Sequence, residues 1–197
     1  IDRISAAPEL EGGFEFGEAM EKMGIVVSAG HTDASFSDLE EALKHGYRLI
    51  THLYSGMKMT ERVNAYRVAG GVEAGLYFDA YYCEIIADGK HLPPELVRMI
   101  VKIKGMDRVV LVTDSLDIAA TDLTSGKFKG GSDFIVEDGV CKLRNRSAFA
   151  GSIATADRLL RVAIKEAGVP PADAVRMLTA VPARVMGLAN RGVLSRG

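Results

Sequence analysis

The stretch Ile25-Val26-Val27-Ser28-Ala29-Gly30-His31-Thr32 decides the fold: an apolar run of strand length stops on a glycine and then a histidine. One helix later the pattern returns as Tyr47-Arg48-Leu49-Ile50-Thr51-His52-Leu53. Strands joined through a helix run parallel, so both histidines fall at one C-terminal mouth, where ligands and chemistry gather in α/β barrels. Two neutral imidazoles from adjacent strands can grip one divalent metal if a neighbour fixes each tautomer. The same spacing also suits two strand-end histidines satisfied by ordinary hydrogen bonds.

A third strand end points the same way. Arg108-Val109-Val110-Leu111-Val112-Thr113-Asp114-Ser115 is nearly unbroken apolar sequence, the pattern of a strand buried on both faces, and it stops on a carboxylate. Beside a metal, Asp114 could take a proton from the attacking water. It could equally serve as the N-cap of a following helix.

Between these strands the helical period is read from Phe16, Ala19, Met20 and Met23, stopped by Gly24. A second helix is read from a capping box at Ser37-Asp38-Leu39-Glu40, with Leu39, Ala42 and Leu43 as its stripe and Gly46 as its end. Ser55 to Gly75 has glycines and charges without periodicity and reads as a long loop at the mouth. Ala80 to Ala87 forms another strand, running into Asp88-Gly89-Lys90-His91. Pro93-Pro94 then opens a helix with Leu96, Val97, Ile100 and Ile103 on one face. From Leu116 to Arg146 the pattern becomes Gly-rich and alternating, with a hairpin signal at Asp138-Gly139. Helical order resumes at Ser152, with Ala156, Leu159, Leu160, Ala163, Ile164 and Ala167 as a stripe, and Pro170-Pro171 opens one more helix.

Four clear strands are too few for a closed barrel, which needs eight and about 250 residues, so the choice is an open sheet or the later half of a barrel. One domain is expected: barrel strands and helices over residues 1–118, a β insertion over 119–147, and C-terminal helices with a connector over 148–197. The opening Ile1 and the abrupt Asn190 to Gly197 read as the edges of a fragment.

Composition narrows the function classes. The 197 residues are 48% hydrophobic and 25% charged, with a formal net charge of -2, which provides no basic field for nucleic acid. No apolar run approaches the roughly 20 residues of a membrane span. Cys83 and Cys141 lie far apart without a CxxC spacing, which suggests reduced thiols and a cytoplasmic setting.

Five blocks taken together carry a resemblance. Ser28-Ala29-Gly30-His31-Thr32-Asp33-Ala34, Thr51-His52-Leu53-Tyr54-Ser55-Gly56-Met57, Ile86-Ala87-Asp88-Gly89-Lys90-His91, Leu111-Val112-Thr113-Asp114 and Ala150-Gly151-Ser152 stand in the order and spacing of the N-acetylglucosamine-6-phosphate deacetylases. That family lies in the amidohydrolase superfamily, and the resemblance implies an α/β fold: the later half of a TIM-like (β/α) barrel carrying a small β insertion. It implies His31 and His52 as ligands of one divalent metal, zinc first, with iron, cobalt or manganese as alternatives. Asp114 would be the general base, and His91, Ser55, Gly56, Arg67, Ala150 and Gly151 substrate contacts, with Arg67 fitting the phosphate better than Arg62. The implied partners are a small-molecule sugar phosphate and a second copy of the chain in a homodimer.

Two departures qualify the match. Ser55-Gly56 replaces the family's usual Asn-Ala, and the family's metal-binding Glu belongs to a strand upstream of this sequence. With two imidazoles only, the chain by itself is expected to be inactive. A different amidohydrolase acting on a cyclic or N-acyl amide, and a sugar-phosphate-binding fragment without turnover, are the alternatives.

Overall fold

The computed structural model describes residues 1–128 and 133–194. Lys129 to Ser132, inside the expected β insertion, and Ser195 to Gly197, at the end of the expected connector, lie outside the described residues. Five parallel strands form one sheet in sequence order: β1 (Arg3–Ala6), β2 (Val26–Ala29), β3 (Tyr47–Ile50), β6 (Tyr82–Ile85) and β7 (Val109–Leu111). That is one strand more than the clear count from sequence. The unbroken order, with helices between the strands, is that of an arc of a (β/α) barrel.

The outer face of the sheet is apolar. Val27, Ala29, Ile50, Cys83, Ile85, Val109 and Leu111 share a core with Leu39, Ala42, Val72, Val97, Ile100, Leu159 and Met177 of the helices. Side chains alternate along a strand, so Ser28 and Glu84 must face the other way. In β3 the alternation is broken: Val27 pairs with Tyr47 but Ser28 pairs with Leu49. Arg48 is the extra residue of a bulge, which lets Tyr47 and Ile50 both point outward and turns Thr51 inward.

Helix α1 (Gly13–Lys22) corrects its expected stripe. Its buried residues are Gly13 and Gly17, whereas Met23 is exposed. The reason is Tyr47, fully buried with its hydroxyl donating to the Gly13 carbonyl at 2.8 Å. A Cβ on Gly17 would stand 2.5 Å from that ring and 2.3 Å from the His45 carbonyl oxygen. The second helix, α2 (Phe36–Ala42), begins two residues earlier than the sequence signal. Ser35 is its cap, and the Asp38 side chain completes the box by accepting from the Ser35 N–H at 2.8 Å.

The long segment after His52 is more ordered than a bare loop. It contains a hairpin, β4 (Glu61–Val63) with β5 (Tyr66–Val68), and then α3 (Gly71–Tyr77). Helix α4 (Pro94–Lys104) buries Val97, Ile100 and Lys104 and leaves Ile103 exposed, because Lys104 crosses to the Phe78 carbonyl at 2.7 Å. The β insertion is a three-stranded antiparallel sheet of β8 (Ser125–Lys127), β9 (Asp133–Glu137) and β10 (Val140–Leu143). Asp138 and Gly139 both have positive φ between β9 and β10, the two-residue turn that the sequence signals. Thr155, not Ser152, precedes helix α5 (Ala156–Arg161), which continues as a π turn over Val162–Glu166. Two helices follow, α6 (Pro171–Leu178) and α7 (Ala180–Val185).

Candidate active site

The strand ends collect at one mouth. His31, His52 and Asp114, just beyond β2, β3 and β7, adopt φ of 50°, 28° and 49°. Left-handed backbone costs a non-glycine residue about 1–3 kcal/mol and persists only where the surroundings over-determine it. Three such residues stand on strand ends of one sheet.

The two imidazoles meet. Their Nε2 atoms are 2.9 Å apart and their rings stand at 88° to each other. With metal–nitrogen bonds of about 2.0–2.1 Å, two donors of one ion lie roughly 2.9–3.3 Å apart for angles between a right angle and the tetrahedral value. The pair therefore fits two ligands of a single divalent ion. His52 is buried, and that burial lowers its pKa although the Asp114 carboxylate opposes the shift. A neutral ring is the form that ligates. Its Nδ1 is buried and has no hydrogen-bond partner among the described residues. Among the described residues no group of three or more His, Cys, Asp or Glu side chains is placed to hold an ion.

Beneath the mouth the inner face of the sheet carries a polar network beside the buried Leu49 and Val110. Arg3 reaches Glu84 at 2.5 Å and Thr51 at 3.2 Å, and the Thr51 hydroxyl also meets Ser5 at 2.8 Å and Ser28 at 2.6 Å. Burial pushes Glu84 up to about 7 in spite of the Arg3 charge.

The remaining expected contacts fall into two groups. Gly56 lies against His31: a Cβ on it would be 3.0 Å from the His31 Nδ1. Arg67 and Arg62 sit directly opposite each other in the exposed β4–β5 hairpin, so the structure does not separate them as phosphate ligands. On the far side His91 is held by Asp88, whose Oδ2 meets its Nδ1 at 2.8 Å while Oδ1 accepts the N–H groups of Lys90 and His91. Burial alone would raise Asp88, but these donors outweigh it and hold the carboxyl below its ordinary value. The His91 ring packs on Phe149 with centroids 4.6 Å apart. Ala150 and Gly151 follow directly, tied to the strand end of Asp114 by the Ser115–Ser152 bridge and by the Leu116 N–H to Ser152 carbonyl bond at 2.9 Å. A cavity of about 530 Å³ lies at the opposite, N-terminal ends of the strands, lined by Val26, Arg48, Tyr82 and Arg108, and shares none of these residues.

The matched sequence profile of the Amidohydrolase family runs over residues 9–197. The chain belongs to the amidohydrolase family. It is 32% identical over 198 residues to the N-acetylglucosamine-6-phosphate deacetylase of Lysinibacillus sphaericus, covering 100% of this chain and 49% of that protein. It is 29% identical over 174 residues to the N-acetylgalactosamine-6-phosphate deacetylase of a Shewanella species, covering 88% of this chain and 43% of that protein. The crystal structure of the N-acetylglucosamine-6-phosphate deacetylase from Pasteurella multocida superposes with a TM-score of 0.89 at 30% identity, over 100% of this chain and 50% of that one. The chain thus spans about half the length of the curated relatives it matches. The likeness also extends to the fold: this sheet is the later part of an amidohydrolase-type barrel.

Sequence reading missed the supporting carboxylates of this amidohydrolase. Asp88 had a usable signal, because an Asp two and three residues ahead of the groups it accepts from is a turn-forming pattern. Glu84 and its partner Arg3 had none, because their contacts span 48 or more positions.

Proposed function

We propose that the chain carries the metal-binding histidines and general base of a hexosamine-6-phosphate deacetylase, with N-acetylglucosamine 6-phosphate as substrate. The observation that carries this reading is the convergence of the His31 and His52 Nε2 atoms, 2.9 Å apart, at neighbouring strand ends of a sheet that also delivers Asp114. Here His31 and His52 would hold one divalent ion. Zinc suits this donor set, as do iron, cobalt or manganese. When bound, the ion supplies Lewis acidity toward the acetamide carbonyl and lowers the pKa of water to about 7.

Asp114 accepts the proton of the attacking water as its oxygen bonds to the carbonyl carbon. The same proton then passes to the amide nitrogen as the C–N bond breaks, releasing acetate and the amino sugar phosphate. His91, its Nδ1 tied to Asp88, offers its other nitrogen to a sugar hydroxyl, with Ala150 and Gly151 beside it. Ser55, Gly56 and Arg67 serve the phosphate, which a guanidinium binds by paired hydrogen bonds. The working form is a soluble cytoplasmic homodimer.

Two imidazoles are one donor short of the three protein ligands of catalytic zinc sites, so the 197 residues alone are proposed to be inactive. Acetate release from N-acetylglucosamine and N-acetylgalactosamine 6-phosphates is measured with zinc, using the chain itself and a fusion that places the upstream half of a matched relative before it. Turnover in the fusion and none in the chain is expected. A fusion that folds and binds zinc yet hydrolyses neither sugar contradicts the proposal.

A further inference from the structure

We propose that Glu9, just beyond β1, is a positioning residue for the metal site: it fixes the His31 strand end and, through Thr32, the Ser55-Gly56 loop beside it. This rests on reading His31 and His52 as metal donors.

Both oxygens of the Glu9 carboxylate are committed to the segment after His31. Oε1 accepts the Asp33 N–H at 2.7 Å, and Oε2 accepts the Thr32 hydroxyl at 2.5 Å. Thr32 is 3% exposed and fully used. Its oxygen accepts the Ala34 N–H at 3.0 Å, and its own N–H donates to the Gly56 carbonyl at 2.9 Å. One side chain therefore reaches across 23 residues to hold the turn that keeps His31 left-handed, and Thr32 passes the constraint to the next strand end.

The coupling has a direct mechanical consequence. Gly56 lies so close to the His31 ring that a Cβ there would meet Nδ1 at 3.0 Å. A shift of Thr32 therefore moves the ring from two sides: through the backbone that carries it and through the loop packed on it. Glu9 is not itself a third donor, since among the described residues no three such side chains are placed to hold an ion. Outer groups that orient ligands typically change metal affinity 10–100-fold when removed.

The test measures zinc affinity and the visible absorption of the cobalt-loaded protein for the parent, Glu9→Ala, Glu9→Gln and Thr32→Val, with amide spectra of each metal-free chain. Glu9→Ala is expected to weaken zinc binding about tenfold or more and to change the cobalt absorption. Glu9→Gln, which can still bridge the Asp33 N–H and the Thr32 hydroxyl, should recover to within about threefold of the parent. A Glu9→Ala chain that binds zinc within about twofold of the parent, with the parent's cobalt absorption, overturns the proposal.

Should Glu9→Ala fail to fold, Thr32→Val decides, because it removes the hydroxyl that joins Oε2 to the Ala34 N–H and leaves the Oε1 bond to the Asp33 N–H in place: weaker zinc binding supports the assignment and parent-like binding overturns it. A parent that binds no zinc sinks the metal reading itself. The metal-free spectra then judge Glu9 separately, since resonances of His31 and Gly56 that move together in Glu9→Ala support the coupling, and changes confined to residues 32–34 refute it.

Discussion

On the outer face of the sheet Val27, Ala29, Ile50, Cys83 and Ile85 are buried against helices, whereas on the inner face Ser28, Thr51 and Glu84 are nearly as buried but polar. The outer residues need only shape and oil. The inner ones need partners, because a buried polar group without a hydrogen bond is costly, and Arg3 and Ser5 on β1 supply them. The incomplete compensation shows in Glu84, which burial pushes up to about 7 even beside a guanidinium. Fold stability is thus carried mainly outside the sheet, while the inside is arranged to support the residues at its mouth.

The difference can be broken from either side. The largest effect is expected from Asp114→Asn in the complete fusion: turnover should fall by about 10²–10⁴, the usual contribution of a general base, with zinc binding and thermal midpoint unchanged. Acetate release and calorimetry on one preparation check both halves. Next comes the outer face, where Ile85→Ala should cost about 2–5 kcal/mol in urea unfolding. Gly17→Ala should cost about 1–3 kcal/mol there, because its Cβ meets the Tyr47 ring and the His45 carbonyl.

On the inner face Thr51→Val should cost about 1–3 kcal/mol by stranding Ser28 and Ser5. An inner-face change that costs nothing would mean that the network is solvated rather than structural. The smallest effect belongs to Asp88. Its lowered pKa means that its contribution is complete above the ordinary carboxylate value of about 3.9 and is lost as pH falls through the lower folded value. Urea unfolding of the parent and Asp88→Asn should therefore differ at pH 7 and converge in acid.

How much was legible follows from the range of each signal. The placing of His31, His52 and Asp114 at strand ends of one sheet could be read because each ends an apolar run. The hairpin at Asp138-Gly139 could be read because its two residues must both take positive φ. The α1 face could not, since the helix packs on Tyr47, 30 positions beyond Gly17, and a glycine there looks like a weak helix former rather than a contact. The bulge at Arg48 was equally hidden, although it decides which way Thr51 points. The contacts of Glu9 were opaque for the same reason: its partners Thr32 and Asp33 follow another strand.

The most direct test of the central claim is a zinc titration of the chain with ¹⁵N-labelled imidazoles, followed by NMR. The account predicts that the Nε2 resonances of His31 and His52 shift together and saturate at one ion per chain, while His45 and His91 stay in place. Shifts confined to His45 or His91, or saturation of His31 without His52, would contradict it.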